Sequence, residues 1–270
     1  MEQFKIRCSA MSEIMGALKG GLTETQAKNL ATLEAKEKRT AKQDETWRDL
    51  LIKRDMPKEL PKTCVTYLEK WVKEKHFNWR KDIGHIAAVK KGNICEDEAI
   101  SMLIENYGLS YNEKNEKFFE NDYICGTPDL IYPDRVYDTK CSESPDTFPM
   151  FEDSPMKSYN FNYWCQGQAY MALTGIHYYS VVYAMCNTPE ELLSKQIYND
   201  CFTLSQEDRE VKELEIRINH NFDHVPLQDR LKRFDFAFEP KYMEHVYERV
   251  RLCRKYIESN LIPKLTKGSK

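Results

Sequence analysis

No stretch of this 270-residue sequence reaches the run of about 18 apolar residues that a membrane-spanning helix needs. The opening Met1–Arg7 is not followed by the apolar segment of a secretory signal. Neither a membrane span nor secretion is indicated, and a cytoplasmic protein is expected. The chain also lacks any pair of cysteines close enough for a Cys-x(2–4)-Cys metal clip. Its nine cysteines are odd in number and widely scattered, so they are expected as reduced core residues rather than a disulfide or zinc framework. There is no internal repeat, and no low-complexity segment beyond the last residues, Lys267–Lys270.

With 41% hydrophobic residues the chain can bury a full core. The patterning divides it into a helical N-terminal region over residues 1–78, a core over 79–260 and a short tail over 261–270. The net charge of −3 says little. Its distribution says more: residues 1–91 carry 20 Lys+Arg against 13 Asp+Glu, residues 92–200 carry 6 against 18, and residues 201–270 carry 14 against 12. A basic flank beside an acidic centre suits a metal-dependent enzyme acting on a polyanion, although solvated helix faces would also produce the N-terminal excess.

The centre of the reading is Cys125–Ser142. Leu130–Tyr132 and Arg135–Tyr137 are short apolar runs joined by Pro133-Asp134, which predicts a β-hairpin. Asp129 is placed at the start of the first strand. Asp138 and Lys140, two apart on the second, share a face because strand side chains repeat every two residues. Two carboxylates and an ammonium converge, and hard oxygen ligands of this kind suit magnesium. The spacing alone arises about once by chance in such a chain; the flanking residues distinguish it.

Gly126-Thr127-Pro128-Asp129, the strand pair and Asp138-Thr139-Lys140 together resemble the catalytic core of the PD-(D/E)xK nuclease superfamily. Upstream, Gly92-x-x-x-Glu96-x-x-Ala99 opens a helix from Lys91 to about Tyr107 and is similar to the first motif of the RecB-like and lambda-exonuclease-like branches. There it competes with an ordinary acidic first helical turn. Glu98 is a rival for the role, but it lies about 200° around the helix from Glu96. Downstream, a helix over Asn160–Thr174 stacks Gln166 and Tyr170 on one face, similar to the third motif; Tyr170 could equally be a core aromatic. Closest of all is the phage-type recombination exonuclease group, the lambda exonuclease and YqaJ-like proteins, over about residues 80–260.

The resemblance implies an α/β fold, a restriction-endonuclease-like core with a central mixed β-sheet flanked by helices and an N-terminal helical extension. It implies a deoxyribonuclease acting on double-stranded DNA ends in a bacterial or phage-infected cell, in phage-type recombination or DNA processing. Glu96, Asp129, Asp138 and the Thr139 carbonyl would hold Mg2+, with Mn2+ able to substitute. Lys140 would act on the water or phosphate, and Gln166 and Tyr170 would position the strand. A trimeric homo-oligomer and a single-strand annealing partner belong to the same expectation. The cysteine trio of iron–sulfur members is missing, since only Cys253 lies near the end, and no cluster is expected. A restriction-like endonuclease and a catalytically silent binding protein are the alternatives.

The connecting elements are read more coarsely. A helix is expected from Thr23 to about Arg54, a second from Pro61 to His76, and a strand over Lys117–Ile124. Glu143–Tyr159 is expected as an irregular loop over the site and His177–Cys186 as a buried strand. An edge strand over Arg233–Phe238 and a closing helix over Pro240–Ile257 complete the pattern.

Overall fold

A computed structural model describes residues 2–152 and 160–267. The chain divides into two compact units, one made of Met1–Phe4, Ser12–Trp79 and Val246–Lys270, the other of Lys5–Met11 and Arg80–His245.

The first unit is helical. It contains α1 (Met11–Ile14, from Ser12 on), α2 (Glu24–Glu34), α3 (Ala41–Asp55) and α4 (Lys62–Phe77). The long helix expected from Thr23 is broken between residues 34 and 41. Thr23 with Gln26 and Thr40 with Gln43 each form a capping box, so a second helix starts where the first would have continued. On α4, Cys64, Leu68 and Val72 are buried. The C-terminal segment buries Val246, Val250, Cys253 and Ile257, and Cys253 Sγ lies 3.5 Å from Cys64 Sγ. Arg249 donates to the Gly16 carbonyl at 2.8 Å.

The second unit is mixed α/β. Its main sheet has the order β4 (Leu130–Ile131), β5 (Val136–Cys141), β6 (Tyr178–Ala184), β7 (Leu231–Ala237). The predicted hairpin is present: Leu130 pairs with Tyr137 and Ile131 with Val136, closed by reciprocal bonds between Tyr132 and Arg135 around Pro133-Asp134. β5 and β6 are parallel, so the chain must cross over between them, and the crossover includes α6 (Asn160–Thr174). β7 is the expected edge strand, antiparallel to β6. α5 (Ala87–Tyr107) packs on the face bearing Tyr137, Val182 and Ala184. Two further helices, α7 (Glu190–Cys201) and α8 (Gln206–Asn219), pack together through Leu193, Ile197, Cys201 and Ile216.

Two readings of this unit change. The strand expected over Lys117–Ile124 is two short strands, β2 (Phe119–Glu120) and β3 (Ile124–Gly126), because the Asn121 carboxamide accepts from the Tyr123 and Ile124 amides and turns the chain back. They form a second small sheet with β1 (Ile6–Arg7), which runs parallel to β3. The helix expected from Lys91 begins at Ala87, so Glu96 sits in its interior and the acidic-first-turn explanation falls. Of the loop over Glu143–Tyr159, residues 153–159 lie outside the described residues; before them a 3-10 turn spans Pro145–Thr147.

Candidate active site

β5 places Asp138 and Lys140 on one face, as the alternation requires. Asp138 is fully buried, Lys140 is partly exposed, and the ammonium is ion-paired with Asp138 Oδ2. Lys140 Nζ also lies 5.1 Å above the ring of Tyr163 on α6. Asp129 stands just before β4, and its Oδ2 accepts from the Thr139 amide at 2.8 Å and the Thr139 hydroxyl at 3.2 Å. The hairpin turn is what brings two residues ten apart in sequence into hydrogen-bond contact.

Two carboxylates this close are electrostatically uncomfortable. Burial, with the Asp138 charge next, pushes Asp129 up to about 6, against the opposing pull of Lys140 and the Thr139 bonds. Lys140 is shifted the other way from what burial would do: desolvation lowers it, but Asp138 and Asp129 together outweigh that and raise it, keeping it charged. The buried Tyr179 hydroxyl on β6 stands beside Asp138 without a well-formed hydrogen bond among the described residues, and burial, then the Asp138 charge, holds it far above the usual phenol range.

α6 supplies the support. Gln166 Nε2 donates to Asp138 Oδ1 at 3.2 Å and to the Tyr170 hydroxyl at 2.9 Å; that hydroxyl in turn donates to the Thr127 carbonyl at 2.9 Å. Both side chains are buried, and the chain of bonds runs from Asp138 to the backbone two residues before Asp129. Their bonds thus point into the protein, to Asp138 and to the Thr127 carbonyl, rather than outward. Gly126 makes this possible: a Cβ there would stand 3.0 Å from Tyr170 Cε1 and 2.8 Å from Cys8 Sγ.

Glu96 stands apart from this network. Its carboxylate pairs with Lys114 at 2.6 Å, and Lys114 is within electrostatic reach of Asp129 as well. The loop carrying Lys114 is strapped to the Asp129 segment: Asn115 donates from its amide to the Asp129 carbonyl at 2.7 Å and from Nδ2 to the Pro128 carbonyl, and Asn112 donates to the Ile131 carbonyl. Glu98 points elsewhere, 3.8 Å from Arg230. The structure therefore joins Asp129, Asp138, Thr139, Lys140, Gln166 and Tyr170 directly, and connects Glu96 to them through Lys114. Sequence reasoning missed Lys114, Tyr163 and Tyr179. The first lies in an aperiodic polar stretch with no signal; Tyr163 lies three and seven positions before Gln166 and Tyr170 and could have been found by helix spacing, whereas Tyr179 joins the Asp138 face only through the pairing of β6 with β5.

The donor set fits a hard divalent cation. Its oxygens are carboxylates, and the buried Asp138 Oδ2 accepts no hydrogen bond among the described residues while it pairs with the Lys140 ammonium.

No family model matches the chain, and no curated protein matches it by sequence. Solved structures do match. A phage-related exonuclease from Haemophilus somnus 129PT superposes with a TM-score of 0.70 at 20% identity, covering 98% of this chain and 97% of that one. An alkaline exonuclease, LHK-Exo, from Laribacter hongkongensis superposes with a TM-score of 0.56 at 12% identity over 98% and 93%, and its complex with dAMP gives 0.56 at 13% over 98% and 95%. The chain has the fold of these exonucleases, in agreement with the superfamily that its motifs resemble. Among the described residues, no helix is long and apolar enough to cross a membrane.

Proposed function

We propose that the chain is a metal-dependent deoxyribonuclease that hydrolyses phosphodiester bonds from the ends of duplex DNA, in phage-type recombination or related DNA processing. The observation that carries this is the joined set Asp129, Asp138 and Lys140, supported from behind by Gln166 and Tyr170. Agreement in fold with exonucleases over nearly the whole chain, one of them in complex with a DNA mononucleotide, supports it independently.

Asp129, Asp138, Glu96 and the Thr139 carbonyl would hold magnesium, with manganese able to replace it. When bound, the ion supplies Lewis-acid stabilisation of a phosphate and a lowered pKa for water. Lys140, charged and partly exposed beside the carboxylates, stabilises negative charge developing on the phosphate. Gln166 holds Asp138 in its rotamer, and Tyr170 fixes the Thr127 backbone that leads into Asp129; they are positioning residues. Thr139 orients Asp129 through two donors. Contacts that act through phosphate and sugar would carry no base information, so little sequence preference is expected. A trimeric assembly and a single-strand annealing partner complete the proposal.

Incubation with linear and covalently closed plasmid tests it. Linear DNA should be degraded in magnesium or manganese, and closed circles should persist. Cleavage of circles at defined sites would point to a restriction-like endonuclease, and absence of any cleavage to a silent binding protein.

A further inference from the structure

The described residues hold a second concentration of ligating side chains, on the opposite face of β5 from Asp138 and Lys140. Cys141 ends β5, Cys186 lies two residues beyond β6, and Cys95 lies on α5. Cys141 Sγ and Cys186 Sγ are 3.9 Å apart, and Cys95 Sγ, Cys186 Sγ and a Glu98 carboxylate oxygen lie within 4.8 Å of one another. Tetrahedral zinc with metal–sulfur bonds of about 2.3 Å has sulfur–sulfur edges of about 3.8 Å. The first pair already stands at that separation, and rotation of the Cys95 and Glu98 side chains would close the rest.

An independent observation concerns Lys91. It is 2% exposed, yet its ammonium donates to a backbone carbonyl, that of Glu143 at 3.0 Å. Among the described residues no carboxylate lies within ion-pair distance of it; burial lowers its pKa, and Cys95, Cys186, Cys141 and then the Glu143 carboxylate lie within its electrostatic reach. A buried cation is costly unless negative charge stands nearby, and thiolates would add to what Glu143 supplies. On the other side, Arg230 is buried and 3.8 Å from Glu98. Three thiolates and a carboxylate around a divalent ion would leave two negative charges, with Lys91 on one side and, on the other, Arg230, which also pairs with Asp223 at 3.4 Å.

We propose that Cys95, Cys141, Cys186 and Glu98 form a structural site for a thiophilic divalent cation, zinc by its donor set, separate from the carboxylate cluster. Thiolate donors select zinc over magnesium. Each thiol proton passes to solvent on binding. Bound metal would clamp α5 to β5 and the end of β6. Cys95 and Cys141 adjoin Glu96 and Lys140 in sequence, so the clamp would set the spacing between the two elements that bear those residues.

The test uses the full chain, purified under reducing conditions and kept in excess magnesium, titrated with cobalt(II). A thiolate-to-cobalt charge-transfer band should saturate at about one equivalent per chain and vanish when zinc is added. Cys141→Ser and Cys186→Ser should lose the band, Asp138→Asn should keep it, and Glu98→Gln should weaken binding about tenfold or more. Should the cysteine variants fail to fold, alkylation of the wild-type chain reads the same thing: zinc should slow iodoacetamide labelling of Cys95, Cys141 and Cys186 about tenfold or more, because the ligated thiolate is no longer free to attack. The proposal is overturned by absence of the band, by its survival in both cysteine variants, by labelling indifferent to zinc, or by a Cys141–Cys186 disulfide in place of bound metal.

Discussion

At the scale of single residues, Lys140 and Asp129 offer the sharpest tests. Lys140 is one ammonium among many basic groups on the chain, so phosphate affinity is spread over others while charge stabilisation at the reacting phosphate is not. Lys140→Ala should abolish cleavage and leave DNA binding in calcium nearly intact, as gel shift and turnover measured side by side would reveal. Parallel loss of both would make Lys140 a phosphate anchor instead. Asp129 adds a pH dependence whose sign follows from its shift. Folded, it takes up a proton below about 6; unfolded, it stays ionised down to about 4. Between those values the folded chain binds more protons, so without metal its stability falls as pH rises through the window, by on the order of 2 kcal/mol, and stays lower above it. Urea denaturation in chelator at pH 4 and pH 7 should show this fall in the wild type and not in Asp129→Asn. With magnesium the same proton competes with the metal, so the concentration giving half-maximal activity should rise about tenfold between pH 7 and pH 5. Glu96→Gln should raise that concentration too and lower turnover by orders of magnitude; a healthy Glu96 variant would leave Asp129, Asp138 and Lys140 standing without it.

At the scale of elements, the contact between α6 and β6 holds the site in place. A Cβ at Gly167 would fall 2.2 Å from Cδ1 of Tyr179, so the helix can seat on the strand only where a side chain is missing. The neighbouring Gln166 touches Asp138, which makes the helix seat a determinant of carboxylate geometry. Gly167→Ala should therefore destabilise the chain by about 1–3 kcal/mol, as overpacking does, and lower turnover more than its stability loss explains. Shrinking the partner in the same background, as Tyr179→Val, should recover part of the stability; a double-mutant cycle in urea with additive effects would show that the two do not meet. The α5 register matters in the same way: it turns Glu96 toward Lys114 and Glu98 toward Arg230, so the two acids of one helix serve different neighbourhoods.

For the whole molecule, metal dependence and polyanion binding are the properties to measure. Activity should appear with magnesium or manganese, disappear in EDTA and not be supported by calcium, whose looser coordination positions the reacting oxygens poorly. Full cleavage in excess chelator would remove the carboxylate cluster from the mechanism. Binding carried by basic groups outside the acidic middle of the chain should weaken steeply with added salt.

Local chemistry, by itself, determined much of this. The Pro133-Asp134 turn, the alternation that puts Asp138 beside Lys140, the buried run of β6 and the 3.6-residue stacking of Gln166 over Tyr170 are properties of short segments, where spacing and geometry are linked by one period. The α/β class came with the resemblance that these same segments carry. What a short window could not hold was decided by tertiary structure. The side chain of Asn121 broke a strand, and a second capping box broke a helix, because single hydrogen bonds override a hydrophobic pattern. The inward direction of Gln166 and Tyr170, the place of Lys114 between Glu96 and Asp129, and the meeting of Cys95, Cys141 and Cys186 depend on residues tens of positions apart. Only the packing of α5 and α6 on opposite faces of one sheet brings them together, and no local period encodes that distance.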